Sequence, residues 1–207
     1  MSIFCNRSIS FILISIAMTA MAAIPAQASS DTAAEAPVLA STCLGCHGIP
    51  GYRNAYPSYR VPKLGGQHPE YIVIALHDYK NKGRAHKTMQ AQAAGLSEQD
   101  MQALAAYLSG RGKLATGKAK SDARIERGRE KAAVCTACHG ANGVSTMPNW
   151  PVLAGQHESY LKQALTGYKQ GSRTDPVMAG QVLNLTEEDI ADLAAFFAAQ
   201  PGVVSIK

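Results

Sequence analysis

Four cysteines stand in two identical spacings, each followed at once by a histidine: Cys43-Leu44-Gly45-Cys46-His47 and Cys135-Thr136-Ala137-Cys138-His139. Two thiols about one helical turn apart match the two vinyl groups of a haem as thioethers, and the adjacent histidine can then ligate the iron from the proximal side. A zinc site would need four ligands gathered at one point, whereas each pair lies in its own part of the chain. A thioredoxin-like dithiol would need a βαβ pattern, and none is present. The spacing therefore points to two covalently bound haems c.

A sixth ligand must come from far along the chain, on the other face of each haem. Met89 and Met178 are the only methionines that repeat in register, each after a polar turn (Lys80 to Arg84, Lys169 to Arg173). A soft thioether opposite imidazole favours Fe(II) and raises the reduction potential. His47 with Met89 and His139 with Met178 are thus the expected axial pairs. Met101 lies on an apolar helix stripe and is expected in the core, and Met147 in a loop. His77 and His86 are unrepeated and read as surface residues, His86 being the nearest rival to Met89. His68 and His157 repeat, but at the start of a helix, where a cap or a hydrogen bond to a ligating group is the expected role. Arg84, Arg173, Tyr79, Tyr168 and Trp150 are candidates for pairing with haem propionates or lining the pocket.

The elements that must position these groups are duplicated. Pro62-Lys63-Leu64-Gly65-Gly66-Gln67-His68 matches Pro151-Val152-Leu153-Ala154-Gly155-Gln156-His157 at a shift of 89 residues (157 − 68), and Tyr71/Tyr160, Arg84/Arg173, Met89/Met178 and Leu96/Leu185 keep that shift. The cysteine segments match at a shift of 92 (135 − 43), so one length change falls between Gly48 and Pro62, where a loop tolerates it. In each unit a helix leads into the cysteines (about 36–46 and 122–138), a Pro- and Gly-rich loop follows, a middle helix starts after His68 or His157, and a last helix closes the unit. Ser97-Glu98-Gln99-Asp100 and Thr186-Glu187-Glu188-Asp189 resemble capping boxes ahead of an i, i+3, i+7 apolar face: Met101, Leu104, Leu108 and Ile190, Leu193, Phe197. With no sustained strand alternation, the expected fold is all-α, two tandem domains of about eighty residues. Units this small bury too little apolar surface to be secure alone, and a covalently held apolar ligand would complete each core.

The boundaries follow: residues 1–28 as a signal peptide, 29–110 as the first domain, 111–121 as a linker and 122–207 as the second domain. Arg7, the apolar run Ile9 to Ile24 and Ala26-Gln27-Ala28 read as a signal cleaved after Ala28, and the run falls short of a spanning helix. Export to the periplasm is the expectation. Cleavage takes the formal charge from +5 to +4 (5 − 1, for Arg7). The excess is local, with seven basic and three acidic residues between Arg111 and Glu130. No aromatic interleaving accompanies it, which argues against nucleic acid and for a solvated face, with an acidic partner or an anionic membrane surface as its other uses.

The chain is identified as resembling the cytochrome c4 family of dihaem class I cytochromes, on both C-x-x-C-H segments, Pro151 to His157, Asp175-Pro176-Val177-Met178 and Leu193-Ala194-Ala195-Phe196-Phe197. That resemblance implies two cytochrome c folds about a pseudo-two-fold axis, His/Met ligation in each, and electron delivery toward a terminal oxidase. Partners would be redox proteins such as a membrane bc1-type complex, a terminal oxidase or a dehydrogenase. A dihaem subunit or electron acceptor of a periplasmic dehydrogenase is the alternative. A haem enzyme would need an open iron face or an unusual ligand such as Cys, and once Cys5 leaves with the signal no cysteine remains outside the attachment pairs. The first unit departs from the family where Gly51 to Arg60 replaces a short polar loop, and its tyrosines are candidates for a docking face.

Overall fold

The computed structural model describes residues 35–206, so the expected signal peptide lies outside the described residues. After a helical turn over 35–39 come α1 (Ser41–His47), α2 (Pro69–Lys80), α3 (Lys87–Ala94) and α4 (Glu98–Gly110). The second unit repeats them as α5 (Ala123–Lys131), a 3-10 turn (Ala132–Val134), α6 (Thr136–His139), α7 (Glu158–Lys169), α8 (Pro176–Val182) and α9 (Glu187–Ala199). Among the described residues only isolated bridges stand in for sheet, as an all-α fold requires.

Local chemistry explains most of these elements. Both expected capping boxes form: Ser97 Oγ accepts the Asp100 N–H while Asp100 accepts the Ser97 N–H, and Thr186 and Asp189 do the same. Behind them Met101, Leu104, Leu108, Ile190, Leu193 and Phe197 are buried, and Met147 is exposed in its loop. Two details differ from expectation. Each helix leading to the cysteines is broken, by a turn at Ala40 and by the 3-10 turn, so the cysteines sit on a separate short segment. And the segments after the polar turns, which carry Met89 and Met178 and to which the sequence assigns no element, are helices α3 and α8 started by side-chain caps.

The two units meet about a pseudo-two-fold axis, visible as hydrogen bonds that recur at the shift of 89. Gln67 Nε2 donates to Val152 O at 2.9 Å and its Oε1 accepts the Val152 N–H at 2.9 Å. Gln156 Nε2 donates to Lys63 O at 3.0 Å and its Oε1 accepts the Lys63 N–H at 2.9 Å. Each glutamine also accepts the N–H of the histidine after it, tying the start of α2 or α7 to the same clasp. On the other side of the seam the Ala85 N–H donates to Ser172 O, and the Thr174 N–H to Gly83 O. Backbone groups of one unit thus find partners in the other, which burial at the seam demands.

The linker and the tail strengthen the join. The Ala115 N–H donates to Gly202 O, so the linker runs along the second unit. Val203 pairs with Ala154, Val204 with Gly65, and Ile206, fully buried, completes the first unit's core with Ala40, Leu104 and Leu108. The end of the second unit is therefore part of the first unit's core.

Candidate functional site

The cysteine segments, the middle helices and the methionine helices of both units line one cavity of about 750 Å³. Cys43, Cys46, His47 and Met89 stand on its wall in the first unit, and Cys135, Cys138, His139 and Met178 in the second. All eight expected site residues are thereby brought together, four to a unit.

Each histidine is oriented by its own backbone. His47 Nδ1 lies 2.8 Å from Pro62 O and His139 Nδ1 3.0 Å from Pro151 O. A carbonyl only accepts, so Nδ1 carries the proton and Nε2 keeps a lone pair. Burial pushes both imidazoles below their ordinary pKa, which holds them neutral. His139 Nε2 is buried and has no hydrogen-bond partner among the described residues. A buried polar atom left unpaired calls for an explanation, and a metal ion ligated there would supply it. Trp150 stands edge-on to the His139 ring, centroids 6.0 Å apart. Burial also raises the Cys43 and Cys135 thiols, which leaves them as neutral S–H groups at the cavity wall.

The methionines are set by caps. Asp175 Oδ1 accepts the Met178 N–H at 2.8 Å, and His86 Nδ1 accepts the Met89 N–H at 3.1 Å. His86 is the register equivalent of Asp175, so its ring caps α3 and faces Tyr59 and Tyr79. Asp175-Pro176 is itself a readable start signal, a cap followed by proline at the first helical position.

Arg84 and Arg173, both buried, form the floor between the units. Arg84 Nη2 donates to Tyr71 OH and Arg173 Nη2 to Tyr160 OH, each at 3.2 Å, while Tyr79 and Tyr168 stack on the two guanidiniums at 5.7 and 5.4 Å. Burial drives Tyr79 and Tyr168 upward, Tyr168 to about 12. At Tyr160 burial pulls upward too, but Arg173 and Arg84 outweigh it and the net shift is down. The symmetry breaks at Asp78, which accepts from Arg84 Nε at 2.9 Å, because its register equivalent is Gly167. Two buried cations therefore face one carboxylate.

Neither repeated histidine caps its helix with its side chain. His68 Nε2 bonds instead to Ser145 O across the seam at 2.9 Å. His157 is held down to about 4 by burial, with Lys63 and Arg60 adding to the effect. A folded state that refuses a proton the unfolded state accepts loses stability as pH falls, here from 6.5 toward 4. The expected result is a stability that declines through that window, with a shallower slope in His157→Gln, read from urea midpoints at successive pH values.

The fold and the paired site define a dihaem c-type cytochrome, an electron carrier with two covalently bound haems c. A family model for cytochrome c matches residues 33–111 and again 125–200. The chain belongs to the cytochrome c family. Cytochrome c4 of Pseudomonas aeruginosa is 49% identical over 85 residues, 41% of this chain and 42% of that protein, so this match spans under half of either. A thiosulfate dehydrogenase electron acceptor of Thiomonas intermedia is 33% identical over 81% of this chain and 82% of its own. The crystal structure of reduced recombinant cytochrome c4 from Pseudomonas stutzeri superposes with a TM-score of 0.67, 29% identity, 81% of this chain and 98% of that one.

Proposed function

We propose that the chain, exported to the periplasm with residues 1–28 removed after Ala28, passes electrons between membrane redox complexes and toward a terminal oxidase. Cys43 and Cys46 hold one haem and Cys135 and Cys138 the other, with His47/Met89 and His139/Met178 as the axial pairs. The domains are 29–110 and 122–207, joined by 111–121. The observation that carries this reading is the repeated half-site: a neutral imidazole with its Nδ1 proton on a proline carbonyl, facing a cavity that a capped methionine helix closes.

Each haem, when bound, supplies a one-electron Fe(III)/Fe(II) couple. The chain's own groups prepare for that couple. The proline carbonyls fix the imidazole tautomer and raise its basicity. The caps set where Met89 and Met178 stand, so both oxidation states meet the same ligand field and little rearrangement accompanies electron gain. Leu104, Leu108, Leu161, Leu193 and Phe197 keep water from the cavity wall. Arg84, paired with Asp78, and Arg173, with no ion-pair partner among the described residues, suit the anionic propionates. An iron closed on both faces exchanges electrons and binds no substrate, which fits a carrier rather than an enzyme.

A second reading has a specific support in the relative described as an electron acceptor of thiosulfate dehydrogenase. Under it the same site receives electrons from a periplasmic dehydrogenase, and a stable co-purifying partner would mark it.

Oxidised, reduced, and reduced-plus-CO spectra of the exported protein test the assignment. Two haems per chain, a thioether-to-ferric charge-transfer band and no CO response are expected. CO binding at either haem would remove Met89 or Met178 as a firm ligand.

A further inference from the structure

The loop that makes the first unit longer than the second is an ordered hairpin. Arg53 and Arg60 form an antiparallel bridge, the Asn54 N–H donates to Tyr59 O at 2.8 Å, and the Val61 N–H to Tyr52 O at 2.9 Å. Asn54 Nδ2 donates to Pro57 O at 3.0 Å and Arg53 Nε to Ser58 Oγ at 3.2 Å, closing the tip from within. The Arg60 N–H donates to Ser159 Oγ in the second unit at 3.0 Å, which fixes the hairpin's base.

This rigid element presents aromatic surface to water. Tyr56 is 95% exposed at the tip, and Tyr52 and Ile49 are also exposed. An aromatic ring held in solvent on a fixed backbone has lost its freedom without gaining contacts, the condition of a surface prepared for a partner. Tyrosine and arginine are the side chains that most often carry binding energy at protein interfaces. From Ile49 to Lys63 the hairpin has Arg53, Arg60 and Lys63 and no acidic residue. Its counterpart, Gly140 to Trp150, has no charged residue at all. The hairpin also borders the first haem's site directly, since Tyr52, Arg53, Asn54 and Ala55 line the same cavity as Cys43 and His47.

We propose that the 49–63 hairpin is the docking port for an acidic redox protein, which exchanges electrons with the haem of the first unit. Its two exposed cations, Arg53 and Arg60, steer a negatively charged partner, while Lys63 Nζ is held on Gly155 O of the second unit, and Tyr52 and Tyr56 give the encounter a dry centre. The uncharged counterpart loop leaves the second unit to a partner recognised in another way. The port rests on the electron-carrier reading above and adds which unit meets an acidic partner.

The test uses the full-length holoprotein, reduced, with an acidic plastocyanin as protein oxidant and tris(phenanthroline)cobalt(III) as a small cationic one. Tyr56→Ala and Arg60→Glu alter side chains that do not line the cavity. Each is expected to slow oxidation by plastocyanin about tenfold. Neither should slow oxidation by the cobalt complex, and Met147→Glu in the counterpart loop should leave the plastocyanin rate unchanged. Rising ionic strength should slow the wild-type reaction with plastocyanin and flatten its difference from Arg60→Glu. Unchanged plastocyanin rates in both hairpin variants, or a loss in Met147→Glu alone, would overturn the port while leaving the carrier intact. So would binding to phosphatidylglycerol vesicles that Tyr56→Ala abolishes without any change in the plastocyanin rate. A wild type that fails to reduce the cobalt complex would overturn the carrier reading, and the port with it.

Discussion

Met178→His is expected to lower the potential of one haem by about 100 mV or more, within the roughly 0.8 V that axial ligands span, and to leave the other in place. The cause is the donor atom: imidazole nitrogen is harder than thioether sulfur and stabilises Fe(III), while methionine favours Fe(II). Position 178 is suited to the exchange. It is the third residue of α8, its backbone N–H is anchored on Asp175, and its side chain lines the cavity in the second unit. The anchor is a backbone contact and survives the substitution. A spectroelectrochemical titration should resolve one shifted and one unshifted wave, with loss of one thioether charge-transfer band. Two unshifted waves would remove Met178 from the iron.

Gly128→Ala should cost about 3 kcal/mol of folding free energy, the upper end of overpacking. Helices α5 and α9 cross so closely there that a Cβ at 128 would lie 2.1 Å from Asp192 O and 2.8 Å from Phe196 Cβ. The first of these is backbone, so no rotamer change relieves it, and α5 must lift away. Lifting also draws Arg127 and Lys131 from the Asp192 carboxylate, which they hold at 3.0 and 2.8 Å. That carboxylate, held below its ordinary pKa by its hydrogen bonds to these two cations, would lose them. Urea denaturation of the holoprotein measures the loss. Gly180→Ala is the control: it is an exposed helical glycine with nothing within 4 Å of a new Cβ, and about 1 kcal/mol of gain is expected from helix propensity alone. Equal midpoints for Gly128→Ala and wild type would refute the close crossing.

The part of this protein legible in its sequence is chemistry confined to a few neighbouring residues. Thioether attachment needs two thiols one turn apart with a histidine beside them, so Cys43 to His47 and Cys135 to His139 announce themselves. Capping boxes are equally local, and Ser97 and Thr186 start their helices where expected. The duplication places Met89 and Met178 in register because equal positions in equal folds keep equal roles. Helices α3 and α8 escape a reading by periodicity because they are short; Asp175-Pro176 offers a local start signal for α8, whereas the His86 cap of α3 offers none.

The residue types and their register are thus determined along the chain: two attachment segments, two methionines, two apolar last helices, and a copied unit. Only the tertiary structure decides what the copies do to each other. Gln67 and Gln156 are visible as a repeat, yet nothing local says that each amide would clasp the opposite unit's backbone. Arg84 and Arg173 are visible as cations, but their tyrosine partners and the single carboxylate at Asp78 depend on how the seam closes. Ile206 follows the second unit's last helix, yet it is core of the first unit. The physical reason is range: spacing and periodicity report contacts within a turn or two of the same helix, whereas burial across a seam depends on how surfaces far apart in the chain come together.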